Sequence, residues 1–122
     1  MLTLKDVWES STGLLKRFDL IPSPKKAYLK FQEEIAELQE ALFKLSGNKR
    51  NMPFKQDAAE ELADCLVTLL NVGYAAGLSI EDIEAALIKT IDKNDMKSHA
   101  THTAQDGWIK RITPIAYVQP GE

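Results

Sequence analysis

Apolar residues recur along most of this chain at intervals of three and four, the spacing that places side chains on one face of a helix. Leu4, Val7, Trp8, Leu14, Leu15 and Phe18 predict a first helix over about residues 3–19, with Thr3 and Asp6 placed to cap its start. The small polar run Ser10-Ser11-Thr12-Gly13 weakens its middle. Ile21-Pro22-Ser23-Pro24 breaks the chain, and Ser23 before Pro24 is a helix start: a capping hydroxyl, then a residue whose missing N–H has no partner to lose there. Tyr28, Phe31, Ile35, Leu38, Leu42 and Leu45 then alternate the two spacings, as a bundle seam requires, and Gly47 stops this second helix. A third is predicted from about Phe54 to Ala76, ended by Gly77. Ser79 caps a fourth, with Glu81 and Asp82 in its electropositive first turn and Ile80, Ile83, Leu87 and Ile91 as a stripe that fades near Lys97. From about Thr101 the pattern changes. Asp106-Gly107, between β-branched and aromatic flanks at about 101–105 and 108–113, predicts a hairpin turn, and Pro114 and Pro120 limit regular structure beyond it.

The pattern predicts an all-α fold: an antiparallel four-helix bundle-like subunit with a short β-hairpin or extended C-terminal tail. At 122 residues this is one expected domain, with a helical core over about 3–98 and a tail over about 99–122. Several helix faces are too apolar for a lone four-helix monomer, so a homo-oligomer, dimer or tetramer, is expected. Hydrophobic content of 44% with 27% charged residues is ordinary for a globular protein. A net charge of −3 argues against nucleic-acid binding by phosphate neutralisation but leaves a local nucleotide site open. The apolar stretch over residues 65–76 is interrupted by Thr68, Asn71 and Gly73 and is too short to span a bilayer. One cysteine, Cys65, allows no intrachain disulfide, and the first residues lack a signal-peptide pattern, so a cytoplasmic location is expected.

Carboxylates carry the candidate chemistry. The second helix bears Glu33, Glu34 and Glu37, and the third bears Glu61 and Asp64. A spacing of three pairs Glu34 with Glu37, and Glu61 with Asp64, on shared faces, and antiparallel packing would bring both pairs to one pocket. Hard oxygen donors of this kind suit Mg²⁺ or Mn²⁺. Such acid pairs also occur on ordinary solvated helices, and two further features favour a site. On the third helix Leu62, Leu66, Leu69 and Gly73 point one way, Ala63, Cys65, Val67, Val72 and Tyr74 widen the apolar arc, and Glu61, Asp64, Thr68 and Asn71 keep a narrow polar stripe. From Gln56 through Ile88 there is no lysine or arginine, although Asp57, Glu60, Glu61, Asp64, Glu81, Asp82 and Glu84 lie there. A divalent cation is one source of countercharge. The row Lys89, Lys93 and Lys97, with Asn94 among it, is another; such a row is more commonly a solvated face, here pairing with Asp92 and Asp95, and it is also placed to meet phosphate oxygens. Lys49 and Arg50 are loop cations of little weight.

Taken in order, Glu33-Glu34-x-x-Glu37, Glu61-x-x-Asp64 and Lys93-Asn94-Asp95-Met96-Lys97 resemble the MazG-like all-α nucleoside triphosphate pyrophosphohydrolase superfamily over about residues 25–98. The resemblance implies Mg²⁺-dependent hydrolysis of a nucleoside triphosphate between its α- and β-phosphates, giving a monophosphate and pyrophosphate. It implies Glu34, Glu37, Glu61 and Asp64 as metal ligands, with Glu61 also catalytic. Glu33 is implied as a further ligand or as the group that orients the attacking water. Lys93, Asn94 and Lys97 are implied as substrate contacts, although family members often carry arginine where Lys97 stands, and lysine lacks that fork of donors. Trp108 is expected to anchor the hairpin before it stacks on a base, and Trp8 to be core or subunit interface. A di-iron bundle would need Glu-x-x-His on two helices; His99 and His102 follow no glutamate at that spacing and are expected to be exposed. No Gly-rich phosphate loop, Ser/His/Asp arrangement or zinc pattern is present. A non-catalytic helical protein that binds a partner remains the competing expectation.

Overall fold

The computed structural model describes residues 1–48 and 50–112, so the expectations for Lys49, Thr113, Pro114 and Pro120 lie outside the described residues. Four helices, α1 (Leu4–Arg17), α2 (Pro24–Ser46), α3 (Met52–Ala75) and α4 (Ile80–Asp95), precede a two-stranded antiparallel hairpin, β1 (His102–Gln105) and β2 (Trp108–Arg111). This is the all-α fold with a short hairpin that the pattern predicted. The chain forms two compact units, one over Met1–Ile83 and the other beginning at Glu84, within α4.

Local chemistry sets the helix boundaries. The Thr3 hydroxyl accepts from the Asp6 amide while the Asp6 carboxylate accepts from the Thr3 amide, a capping box that starts α1. Ser79 and Asp82 repeat the arrangement before α4. Ser23 accepts from the Lys26 amide with Pro24 in the first helical position, and Asn51 caps α3 by accepting from the Phe54 amide. That cap starts α3 two residues before the predicted Phe54, at Met52 with Pro53 in its first turn. Gly77, at φ 85°, ends α3 in the left-handed conformation that glycine adopts without strain. Gly47 follows α2 with φ −87° and needs no such freedom. The four-residue Ser10–Gly13 run does not interrupt α1. Thr12 donates to the Trp8 carbonyl at 2.8 Å, and Ser11 donates across to Asn71 of α3, so two buried hydroxyls are satisfied.

In the first unit α2 and α3 run antiparallel. Lys26, Ala27 and Lys30 border the same cavity as Thr68 and Asn71, whereas Glu37, Ala41 and Lys44 face Phe54, Asp57 and Glu61. The inward row of α2 is Ala27, Phe31, Glu34, Leu38, Ala41 and Leu45, and that of α3 is Phe54, Ala58, Glu61, Cys65, Thr68 and Val72. Each advances by threes and fours, so Glu34 and Glu61 occupy core positions of the helix pair. Tyr28, Ile35 and Leu42, predicted for the seam of α2, are instead 42–50% exposed. The small apolar core lies where Trp8 meets Leu70 and Ile80, flanked by Leu4, Val7, Tyr74 and Ile83. Trp8 and Tyr74 meet edge to face with centroids 5.9 Å apart. No large side chain among the described residues is fully buried.

In the second unit α4 ends at Asp95, so Lys97 stands just beyond the helix, its amide donating to the Asn94 carbonyl at 3.1 Å. The expected continuation of the lysine row to a third helical turn stops there. Asp106 (φ 54°) and Gly107 (φ 76°) form the two-residue turn, and both left-handed positions match the predicted Asp-Gly pair. His102 pairs with Arg111 and Gln105 with Trp108 across the hairpin. Trp108 is 75% exposed, and all four residues of β2 are exposed, so among the described residues it is not packed into a core. No single described helix is long and apolar enough to cross a membrane.

Candidate metal centre

Glu34, Glu61 and Asp64 each offer one carboxylate oxygen to a group whose atoms lie within 4.8 Å of one another. Glu34 is 7% exposed, Glu61 half-buried and Asp64 exposed, so the cluster runs from the helix seam to the surface. The spacing explains the placement: Glu61 lies on the inward row of α3, and Asp64 lies three residues later at its edge. Glu34 arrives from α2 because its row places a carboxylate where an apolar residue would otherwise pack.

Glu34 Oε2 and Glu61 Oε2 are buried and have no hydrogen-bond partner among the described residues. An ionised carboxylate in that condition costs several kcal/mol unless a cation or donor compensates it. Two such atoms in one triad fit a divalent cation, which satisfies oxygen lone pairs and offsets their charge together. No compensating side chain is at hand from α3. Among the described residues, none of the seven acids between Gln56 and Ile88 makes an ion pair.

Glu37 lies outside the converging triad but within its field. The charge of Glu34 first, and then the charge of Glu61, raise the Glu37 carboxyl above its ordinary 4.5. Cys65 sits buried between these acids. Burial first, and then Glu34, Glu61, Asp64 and Glu37, push its thiol up from 9.0, and the converging donors are all carboxylate oxygens. That chemistry favours a hard cation over a thiophilic one. Glu33, also outside the triad, turns to solvent and pairs with Lys30 at 3.3 Å.

Lys30 is the residue that sequence reasoning missed. Its Nζ lies 3.2 Å from Glu34 Oε1 and brings the cluster the one ion pair it has among the described residues. The signal was present, since a lysine three and four residues before Glu33 and Glu34 shares their helix face. Lys30 also opens onto a cavity of about 400 Å³, with Leu15, Leu20, Ile21, Pro22 and Ala27 as apolar walls and Lys26, Thr68 and Asn71 as polar groups. Thr68 donates to the Asp64 backbone carbonyl at 2.8 Å, a bond within α3, so the link from this cavity to the carboxylates is Lys30.

Lys93, Asn94 and Lys97 belong to the second unit. Asn94 and Lys97 border a cleft of about 540 Å³ with His99, His102 and the exposed Trp108. Lys93 and Lys97 border another, of about 410 Å³, with His102 and Arg111. His99 is exposed as expected, whereas His102 is half-buried, its ring nitrogen Nδ1 2.7 Å from the Thr101 hydroxyl. No family model, curated protein or solved structure matches the chain.

Proposed function

We propose that this chain is a Mg²⁺-dependent nucleoside triphosphate pyrophosphohydrolase of the MazG-like kind, with Mn²⁺ as an alternative ion. The observation that carries the reading is the pair of buried, unpartnered oxygens on Glu34 and Glu61, beside a cavity with apolar walls and a cationic border. A metal centre alone asks only for the acids. The adjoining cavity, within the volume range of small-molecule sites, asks for a ligand with an organic part and an anionic part.

In this reading Glu34, Glu61 and Asp64 hold the cation, and Glu37, whose carboxyl feels the charge of Glu34 and Glu61, joins them as a further ligand. The cation supplies electrostatic stabilisation of phosphoryl oxygens and lowers the pKa of water. Water oxygen bonds to the α-phosphorus as the bond from that phosphorus to the bridging oxygen breaks. Pyrophosphate leaves, and the proton of the water passes to a carboxylate, for which Glu61 and Glu33 are the candidates. Lys93, Asn94 and Lys97 are assigned to phosphate or sugar. The cytoplasmic, homo-oligomeric state belongs to the same reading. Leu62, Leu66 and Leu69 form an outward face of α3 that is 47–60% exposed, and a second copy of a subunit with so small a core is the occupant that fits.

The exposed leucine face also favours a second reading, a non-catalytic helical protein that binds a partner. Calorimetric titration with Mg²⁺ and Mn²⁺, together with product analysis on a panel of deoxynucleoside triphosphates, separates the two. The enzyme reading expects metal uptake and release of pyrophosphate, both lost in Asp64→Asn. Wild-type protein that neither binds metal nor releases pyrophosphate overturns it.

A further inference from the structure

Glu34 divides its carboxylate. Oε1 is held by Lys30 Nζ at 3.2 Å, while Oε2 lies buried in the triad with no hydrogen-bond partner among the described residues. Lys30 divides its contacts as well. The same ammonium lies 3.3 Å from Glu33 and borders the cavity, with Lys26 one turn earlier on the same face. Its side chain is 58% exposed, so its charge stays hydrated and its stem keeps the freedom to move. A lysine suits such a position better than an arginine, because a compact charge on a flexible stem changes partners without a fixed geometry to break.

We propose that Lys30 is a positioning residue that changes partners: it holds Glu34 while the carboxylates lack a metal, and passes to ligand phosphate when a divalent cation takes Glu34. The inference rests on the metal-dependent reading above. An ammonium and a divalent cation compete for the same carboxylate charge, so metal uptake weakens the hold of Glu34 on Lys30. Phosphate entering the cavity brings new negative charge to a border that Lys30 and Lys26 already occupy.

The test is calorimetry on the full chain, first with Mn²⁺ alone and then with inorganic pyrophosphate in saturating Mg²⁺. Wild type is compared with Lys30→Met, Lys30→Gln and Lys26→Met, and circular dichroism checks that each variant is helical. Loss of one partly exposed competitor should tighten Mn²⁺ binding roughly two- to fivefold in both Lys30 variants. Both should weaken pyrophosphate binding by about fivefold or more, having lost a charge-assisted contact. Lys26→Met should weaken pyrophosphate binding and leave Mn²⁺ affinity unchanged. Unchanged or weaker Mn²⁺ binding in the Lys30 variants overturns the exchange and leaves Lys30 a mere brace. Equal tightening in Lys26→Met overturns it in favour of a diffuse charge effect, and unaltered pyrophosphate affinity removes the handover. Wild-type protein that takes up no Mn²⁺ defeats this inference and the metal-dependent reading together; a failure confined to the Lys30 variants defeats this inference alone.

Discussion

The acids at the helix starts and the acids in the α2–α3 seam are the same chemical groups in opposite circumstances. Asp6 and Asp82 each accept a backbone N–H, from Thr3 and Ser79 at 2.9 Å, and those bonds hold their carboxyls below the usual 3.8. Glu34 and Glu61 each keep a buried oxygen without a partner among the described residues, and their charges raise Glu37. The first pair completes the fold: remove it and helix ends lose donors and acceptors. The second group works against the fold of the metal-free chain, which is the condition of residues kept for a ligand.

The sharpest way to break this contrast is to neutralise one member of the seam. Glu61→Gln should leave helicity nearly intact by circular dichroism and reduce pyrophosphate release by at least about 100-fold, the lower end of what a proton-accepting group contributes. Collapse of the helical signal would place Glu61 with the structural acids. Next in size is the response to metal. At a Mn²⁺ concentration of about 100 Kd, linkage adds about 2.7 kcal/mol to the stability of the wild type, visible as a rise in Tm. Glu34→Gln should remove that rise. A smaller effect tests the other side: Ser79→Ala should cost about 1 kcal/mol in denaturant unfolding while leaving Mn²⁺ affinity unchanged.

The subtlest effect is the pH dependence of the metal-free protein. Glu37 has a raised carboxyl, so its contribution is fully present below the unfolded value near 4.5 and is lost as pH rises through the folded value. Asp6 and Asp82 have lowered carboxyls, so their contribution is present above the unfolded 3.8 and is lost as pH falls through the folded values. Thermal melts without metal should therefore show Tm falling as pH rises through the Glu37 titration and falling again at strongly acid pH. Glu37→Gln should flatten the upper limb and leave the acid limb in place. An unchanged upper limb would mean that Glu37 does not feel the triad.

The two regions were not equally legible. Both capping boxes stand in the sequence as a hydroxyl residue three positions before an acid, because a cap is made of neighbours along the chain. Glu61 and Asp64 were marked by the narrow polar stripe of α3 and by the missing basic residues after Gln56. Their convergence with Glu34 needed the register of two helices, which no local pattern carries. The α2 seam shows the limit. Tyr28, Ile35 and Leu42 have seam spacing, yet Ala27, Phe31, Glu34 and Leu38 face α3. A periodicity fixes a face only to within the width of the apolar arc, and the partner helix selects the row.

By itself, then, the sequence determined four helices, their caps, the Asp-Gly turn and a set of acids short of countercharge. These are local properties, governed by hydrogen bonds and side-chain spacing over a few residues. Only the tertiary structure decided that Glu34 and Glu61 each bury an oxygen with no partner among the described residues, that Lys30 is shared between Glu34 and a cavity, and that the leucines of α3 face outward. Burial and cross-helix contact depend on which rows of α2 and α3 interlock, and that choice belongs to the packed pair.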